Sequence, residues 1–267
     1  MGKGKPFLEI LAAALHADYK FPIPEFLIFL FLVSSFVFAS FGGFGSTGGA
    51  EEYFVFFMVN SLLGLPGFIL IMLLLKNIAS GIGNDLEKGT MQTLFVYPLR
   101  RYSILTAKIF SAFGAAVLVF LGTQISALYI LAPDMVVPNL SLVLLTYVAR
   151  LNVAFLVASI TLLLTLILRK GSLAIVIGIL FFFFFGILTS LVSYIAQAMN
   201  SPLPMQLYSL IDPSRALEFY YGSLRPGAYV LWAPSFSEAL LYIGAGYGII
   251  ASILFLSYLY FCRRLSV

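Results

Sequence analysis

The chain has 267 residues, of which 61% are hydrophobic and only 10% are charged, and its formal net charge is +4. Because soluble domains carry about 25% charged residues, this composition excludes a soluble globular protein. Runs of about 18 or more apolar residues predict membrane-spanning helices, and the alternating pattern of membrane barrel strands is absent. The predicted fold class is an all-α membrane protein.

Residues 6–20 predict a short amphipathic helix that lies at the cytoplasmic membrane interface. Its apolar residues are interrupted by Glu9 and His16, which recur on one helical stripe. The alternative is a cleaved signal peptide with Lys3 and Lys5 as its basic region. The apolar stretch is short for that role and contains an acidic residue, so an interfacial helix is favoured.

Six spans are predicted within one transmembrane domain, residues 1–267. Their approximate bounds are 25–41, 54–79, 103–131, 141–168, 172–198 and 238–261.

The basic residues of the connecting segments divide unequally between the two sides of the membrane. One side holds only Arg215 and Arg225, and the other holds Lys3, Lys5, Lys20, Lys76, Lys88, Arg100, Arg101, Lys108, Arg169, Lys170, Arg263 and Arg264. Cytoplasmic loops are enriched in lysine and arginine. The sequence therefore predicts a multi-pass protein of the cytoplasmic membrane with both termini in the cytoplasm.

The segment of residues 199–237 is the longest connection on the predicted outer side. It contains five prolines, many tyrosine and leucine residues, and Trp232. Proline interrupts regular helices, whereas tyrosine and tryptophan favour the membrane interface. The segment predicts short interfacial or re-entrant helices, one of them capped by Asp212 or Ser214.

Residues 84–108 form a charged segment between the second and third predicted spans. Asp85 and Glu87 are expected near the start of a new helix, where exposed amide dipoles favour negative charge. Pro98 ends that helix, and Lys108 extends its ammonium to the lipid headgroups. The sequence thus predicts a short helix that projects into the cytoplasm between two spans.

This segment resembles the cytoplasmic signature of type-2 ATP-binding-cassette (ABC) permeases. The resemblance rests on Glu87-Lys88-Gly89-Thr90, on Leu94, and on Pro98-x-x-Arg101-x-x-Ile104-Leu105-x-x-Lys108. In that family the signature lies between the second and third of six spans, which matches the predicted topology. The chain departs from the family at Met91, where leucine is usual, and at Tyr97-Pro98-Leu99-Arg100, where Pro-Val-Ser-Arg is often found.

The resemblance implies that the segment is a coupling helix, which docks in a groove of a separate ATPase subunit. ATP binding closes the ATPase dimer, and the docked helices carry that motion into the spans. The residues assigned to this coupling are Asp85, Glu87, Gly89, Thr90, Leu94, Pro98, Arg101 and Lys108. Glu87, Gly89 and Thr90 are expected to set the docking geometry, and the last three to fix the exit of the helix at the membrane.

The resemblance also implies an assembly of two permease chains and two ATPases. The expected partners are therefore an ABC ATPase subunit, a second copy of this chain or a paralogue, and membrane lipids, with no nucleic acid. The chain lacks the phosphate-binding motif Gly-x-x-x-x-Gly-Lys-Ser/Thr. It is expected to need no cofactor of its own, with ATP and Mg²⁺ held by the partner, and to act in export, as the family mostly does.

Three polar residues inside the predicted spans are candidates for a substrate site or polar pathway. Arg150 either binds an anionic substrate or headgroup, pairs with Asp134 or Glu238, or reaches outward if its span begins later. Asn152 and Gln124 either join a polar interior or form single hydrogen bonds between helices. The residues alone leave these alternatives open.

Two other classes of function compete with an ABC permease. A secondary transporter or channel needs paired acidic residues or broken helices within its spans, and the predicted spans are nearly free of carboxylates. A membrane enzyme needs clustered ligands or acids at the membrane edge, whereas the chain has one histidine. No catalytic residue or metal site is predicted.

The sixth predicted span contains the pattern Gly244-x-x-x-Gly248, with Gly246 between the two. Glycines four residues apart allow two helices to approach closely. The pattern predicts close helix packing within the subunit rather than between two subunits.

Overall fold

This computed structural model describes residues 5–41, 51–91, 93, 101–225, 227 and 231–264. These residues form helices and their connections, with no strand among them. Five of the helices in the described residues are long and apolar enough to cross a membrane, and a bent helix pair at the amino terminus passes the same test as a unit, which gives six if the pair counts as one span. The all-α membrane fold class is therefore confirmed.

The spans are numbered here in chain order. Span 1 is Ile23–Phe41, span 2 comprises Glu51–Leu62 and Gly64–Glu87, span 3 is Arg101–Leu131, span 4 is Leu140–Leu168, span 5 is Gly171–Ala198, and span 6 is Phe236–Arg264. These helices cover the ranges expected from the sequence, except that span 2 continues well past residue 79.

The interfacial helix, Lys5–Asp18, precedes span 1 and meets it at a bend of 61°. Span 1 itself has 19 residues, which gives a length of about 28 Å at 1.5 Å per residue. That length suffices for the hydrocarbon core of a bilayer. The interfacial helix therefore need not cross the membrane, in agreement with its amphipathic sequence.

Span 2 departs from a regular α-helix at two places. A turn at Leu63 separates its two helices, and Pro66, which has no amide hydrogen, lies in the first turn after that break. Near its other end, Ala79–Gly83 is π-helical. Such insertions occur mostly as short bulges inside α-helices and are frequent at functional sites.

Span 3 contains a second π-helical segment, Phe110–Ala115. Both π-helical segments lie against the interfacial helix. Gly83 of the first segment also lies beside Gly171, and the Tyr258 hydroxyl of span 6 donates to Thr106 Oγ1 at 2.9 Å. The interfacial helix and the adjacent ends of spans 2, 3, 5 and 6 thus meet at one end of the bundle, named here the basic end.

Span 4 is the central helix of the bundle. In the most apolar 18-residue stretch of span 4, 61% is buried inside the protein. The corresponding stretches of spans 5 and 6 are only 6% and 22% buried. Its neighbours on the buried side are spans 2, 5 and 6. Because apolar side chains gain little by leaving lipid for protein, close packing holds such helices together. Spans 5 and 6 leave broad apolar surfaces for lipid or for another subunit.

Two short helices cover the opposite end of the bundle. Leu203–Ser209 packs on span 5, where the Tyr208 hydroxyl donates to the Phe185 carbonyl at 3.0 Å. Ser214–Ser223 packs on spans 2, 4 and 6. At its start the Ser214 amide donates to Asp212 Oδ1 at 3.2 Å, which is the local capping expected from the sequence.

The three glycines Gly244, Gly246 and Gly248 of span 6 lie on two opposite faces of the helix. Gly244 and Gly248 are exposed, and a Cβ atom at either position would meet nothing within 4 Å. Gly246 lies on the opposite face, where its Cβ would be 2.7 Å from the Asn152 side chain. The predicted close packing within the subunit is therefore confirmed at Gly246, which lies against span 4, but it does not involve Gly244 or Gly248.

Candidate functional site

Span 2 ends at Glu87 and is followed by a glycine in the left-handed conformation. The Lys88 amide donates to the Asn84 carbonyl at 2.9 Å, and Gly89 has a φ of +73°. A side chain is strained at this φ, so glycine is favoured there, as it commonly is just past a helix end. Helical residues resume at Thr90. Gly89 therefore sets the angle between span 2 and the segment that follows.

Asp85 connects span 2, the segment after Gly89, and span 3. Its carboxylate pairs with the Lys108 ammonium and accepts a hydrogen bond from the Thr90 hydroxyl at 2.9 Å. Lys108 also donates to the Gly81 carbonyl at 2.7 Å. Only 10% of the Lys108 side chain and 30% of the Asp85 side chain are exposed, so water screens this pair incompletely. Gly81, Asp85, Thr90 and Lys108 are named here the junction.

The location of Asp85 and Glu87 corrects a sequence prediction. They are expected near the start of a new helix, whereas they lie in the last turn of span 2. The helix continues past Ala79 because glycines let it pack closely, with a Cβ on Gly83 only 2.4 Å from the Gly171 Cα. Negative charge at the carboxyl end of a helix is unfavourable, and the cation of the junction compensates for it.

The surface beside the junction is exposed and charged. Glu87, Lys88 and Thr90 are exposed, whereas Met91 is only 1% exposed. Glu87 and Lys88 take part in none of the ion pairs found among the described residues. The buried methionine thus fixes the segment to the bundle, while the two charged side chains are accessible to a partner.

Of the three further residues in the predicted coupling set, the structure describes one. Arg101 begins the span 3 helix and is half-buried. Leu94 and Pro98 lie outside the described residues.

A buried acid, Asp18, joins the interfacial helix to the two π-helical segments. The Ser111 hydroxyl donates to Asp18 Oδ2 at 2.7 Å, and the Lys76 ammonium donates to the Asp18 carbonyl at 3.2 Å. Burial raises the pKa of the Asp18 carboxyl, against the opposing effects of Ser111, Lys76 and Lys108. A Cβ on Gly81 would lie 3.3 Å from Asp18 Oδ1. The interfacial helix is thereby held directly beside the junction.

A cavity of about 260 Å³ lies toward the opposite end of the bundle, among spans 2, 4 and 5 and the two short helices. The Arg150 guanidinium lines it and donates to Asn60 Oδ1. Asp212 and Arg215 line it from the segment between spans 5 and 6. Its remaining walls are mostly apolar and include Leu63, Phe68, Phe120, Phe182 and Phe185.

Residues 79–264 match the family model described as ABC-2 family transporter protein. The match covers more than half of the chain and includes the junction and spans 3 to 6. The chain belongs to the ABC-2 transporter family. It is therefore a multi-pass membrane permease of an ABC transporter, and membership in this family implies an ATP-binding partner subunit. No curated protein matches the sequence.

The permease places its three predicted intramembrane polar residues in different environments. Arg150 lines the cavity. Gln124 donates to Ser35 Oγ at 2.7 Å and so joins span 3 to span 1. Asn152, with its amide oriented to match its neighbours, donates to the Ile211 carbonyl and accepts from the Tyr247 amide, both at 3.2 Å. Gln124 and Asn152 therefore connect elements of the permease and do not line the cavity with Arg150.

Sequence reasoning did not identify Asp18 or Tyr147 as functional candidates. Asp18 is the last residue of the interfacial helix, four positions before Pro22, and an acid at that boundary is a usable signal. Tyr147 precedes Arg150 by three residues, so both lie on one face of span 4. The sequence assigns Arg215 to the outer side of the membrane and to the start of a capped outer helix. Its place beside Arg150 follows from the fold of the segment between spans 5 and 6.

Proposed function

We propose that this permease is driven by a separate ABC ATPase that docks at the basic end of the bundle, on the surface beside the junction that includes Glu87, Lys88 and Thr90. The observation that supports this most is the junction, in which Asp85 contacts both Thr90 and Lys108. A force applied to the segment after Gly89 would reach spans 2 and 3 together. The exposed side chains of Glu87 and Lys88 supply the contact surface.

The proposed orientation places the basic end in the cytoplasm, where ATP is available. The charge asymmetry of the sequence supports this orientation, because twelve basic residues of the connecting segments fall on that side and two on the other. The membrane in question is the cytoplasmic membrane, with both termini inside. ATP and Mg²⁺ are bound by the partner chain, and this chain requires no cofactor of its own.

The interfacial helix extends the coupling pathway. Asp18 accepts hydrogen bonds from the Ser111 hydroxyl of span 3, at its carboxylate, and from the Lys76 ammonium of span 2, at its main-chain carbonyl. A movement of the junction therefore displaces the interfacial helix as well. The two π-helical segments lie at these contacts, where a helix can change its hydrogen-bond register within one turn.

Export is the direction proposed for this transporter. The segment between spans 5 and 6 folds into two short helices that pack on the bundle, so it is too small for a receptor that delivers substrate from outside. The apolar stretches of spans 5 and 6 are mostly unburied, and they offer surfaces for a second copy of this chain or a paralogue. Two permeases would then bind two ATPases.

Purification of the tagged permease from its native membranes in mild detergent tests this function. We expect an ATP-binding chain to co-purify with the wild type and to carry ATPase activity. Glu87→Ala should reduce the recovered ATPase several-fold, because the side chain is exposed at the docking surface. Glu52→Ala is the matched control, since Glu52 is an exposed helical glutamate at the opposite end.

A permease that purifies alone, from detergent and from intact membranes, contradicts the proposed coupling. That result would favour a secondary transporter or channel, with Arg150 as the first residue to examine. Equal loss of the ATPase in both glutamate variants would contradict the docking site while leaving the partnership intact.

A further inference from the structure

We propose that the cavity around Arg150 binds the anionic head of an amphiphile whose alkyl chain leaves between spans 2 and 5. This inference deepens the proposed transport function by giving it a substrate class. It rests on that function only for the transport step, because binding is measured on the permease alone.

Two residues that line the cavity carry buried hydrogen-bond donors that the described part of the chain leaves unpaired. Tyr147 is 1% exposed and lines the cavity, and its hydroxyl has no hydrogen-bond partner among the described residues. The Nε atom of Arg215 is also buried without such a partner and lies 3.8 Å from Asp212 Oδ2. A buried polar group without a partner is costly, so these donors indicate an acceptor that the chain does not supply.

Arg150 adds a cation to the same wall. Its Nε donates to the neutral Asn60 side chain, and it takes part in none of the ion pairs among the described residues. A guanidinium in a region of low dielectric needs compensation by charge or by several hydrogen bonds. Its remaining donors match the oxygens of a phosphate or carboxylate, which guanidinium groups bind with two parallel hydrogen bonds.

The acidic groups near the cavity are already engaged, which argues against a cationic ligand. Asp212 Oδ1 accepts hydrogen bonds from the amide and the hydroxyl of Ser214. Glu218 Oε2 accepts from Arg215 Nη1 at 2.7 Å. The Asp212 and Glu218 carboxylates are therefore bonded within the chain, whereas the Tyr147 hydroxyl and Arg215 Nε have no hydrogen-bond partner among the described residues. Such a site selects a ligand that accepts hydrogen bonds.

The shape of the cavity requires a ligand with an apolar part. Its volume of about 260 Å³ is too small for a whole membrane lipid, so a chain must extend outward. Gly67 of span 2 and Gly186 of span 5 line the cavity, and a Cβ on either glycine would meet nothing within 4 Å, so we infer that the chain leaves through the gap between these two glycines. On the basic side of this gap Phe68 and Phe182 are in contact, with ring centroids 5.4 Å apart. The gap faces the lipid beside the sparsely buried span 5.

The test is native mass spectrometry of the purified permease after equilibration with defined amphiphiles. The probes are palmitoyl-oleoyl-phosphatidylglycerol, its zwitterionic phosphatidylcholine analogue, and oleate. We expect the wild type to retain an anionic probe in preference to phosphatidylcholine. Retention of phosphatidylglycerol indicates a lipid phosphate, and retention of oleate indicates a carboxylate. Either result supports the inference and identifies the source of the head.

Three variants locate the binding. Arg150→Gln should weaken retention about tenfold or more, because a hydrogen bond to a charged group is lost. Arg225→Gln, an exposed arginine at the same end, should retain the probe like the wild type. Gly186→Leu should reduce retention by filling the gap through which the chain leaves.

Tyr147→Phe distinguishes a ligand site from a structural pocket. Removing a hydroxyl without a protein partner should leave the thermal midpoint unchanged or higher, yet it should weaken retention of the anionic probe. Equal retention by the wild type, Arg150→Gln and Tyr147→Phe overturns the inference, as does equal retention of phosphatidylcholine. Because no ATPase is present in this experiment, its failure is distinct from a failure of the proposed coupling.

Discussion

At the scale of single residues, the junction explains why the coupling segment needs its particular amino acids. Gly89 supplies a left-handed turn, and Thr90 and Lys108 both contact Asp85. Lys108 also satisfies a carbonyl of the π-helical segment of span 2. The sequence pattern between the second and third spans is therefore a set of contacts that fixes one segment to two helices.

Lys108→Met should lower the free energy of unfolding by about 1–3 kcal/mol, because Asp85 is left partly buried without its cation. Asp85→Asn should cost less, since the amide oxygen still accepts hydrogen bonds. In a double-mutant cycle the two changes should not add. Thermal unfolding in detergent measures this, with the exposed Lys170→Met as the control. Additive effects would show that the two residues are independent.

Asp18 makes stability depend on pH in a predictable direction. Its pKa is raised above the ordinary value of 3.8, chiefly by burial. Between 3.8 and the raised pKa, the folded chain keeps a proton that the unfolded chain has lost, so stability falls as pH rises through this window. At pH values above the raised pKa, both the folded and the unfolded chain have lost the proton, so stability no longer changes with pH through this group. The charged groups nearest the carboxylate are Lys76, Lys108 and Asp85.

Asp18→Asn should remove this contribution, because the amide can still accept from Ser111 and carries no charge. The thermal midpoint measured from about pH 4 upward should then fall less steeply than in the wild type. Glu9→Gln, on an exposed position of the same helix, serves as the control. An unchanged profile in Asp18→Asn would mean that the buried carboxyl does not titrate in this window.

At the scale of helices, close backbone contact determines how the basic end is assembled. Gly83 of span 2 and Gly171 of span 5 touch, and a Cβ on Gly171 would lie 2.6 Å from the Ala79 carbonyl oxygen. The backbone atoms of a helix cannot move aside as the end of a flexible side chain can. The start of span 5 is therefore fixed against the π-helical segment that also contacts Asp18.

Gly171→Ala should destabilise the permease by about 1–3 kcal/mol, the usual cost of overpacking, and should weaken coupling by shifting the start of span 5. Gly244→Ala is the matched control, because its Cβ meets nothing within 4 Å and alanine favours a helix over glycine. Thermal unfolding of both variants measures the difference. Equal midpoints would contradict the close contact.

The long helices were predictable from the sequence, whereas their internal irregularities were not. Apolar runs determine spans, and spans 3 to 6 begin and end within a few residues of the predicted bounds. The π-helical segments, the end of span 2 and the cavity depend on contacts between distant residues. Asp18 and Ser111, for example, are 93 positions apart, and no local pattern links them.

At the scale of the whole molecule, the permease has two ends with different chemistry and different proposed roles. The basic end carries the junction and the exposed charges beside it, and the other end carries the Arg150 cavity. Span 4 passes through the centre between them. A substrate bound near Arg150 would therefore respond to ATP through helix movement rather than through direct contact with the ATPase.

The orientation of the two ends is measurable with single cysteines. The native Cys262 is replaced by serine, and Lys88→Cys or Arg225→Cys is introduced at an exposed position. An impermeant maleimide added to intact cells should label the second variant and not the first. Labelling of Lys88→Cys from outside would reverse the proposed orientation and place the junction on the wrong side for an ATPase.

Photocrosslinking at the junction tests the central claim most directly. Benzoylphenylalanine is placed at Glu87 in one variant and at Glu52 in the other, and each is irradiated in native membranes. The account predicts a crosslink from position 87, and not from position 52, to a chain that binds ATP. A crosslink from neither position, or from position 87 only to lipid, would contradict ATPase docking at this site.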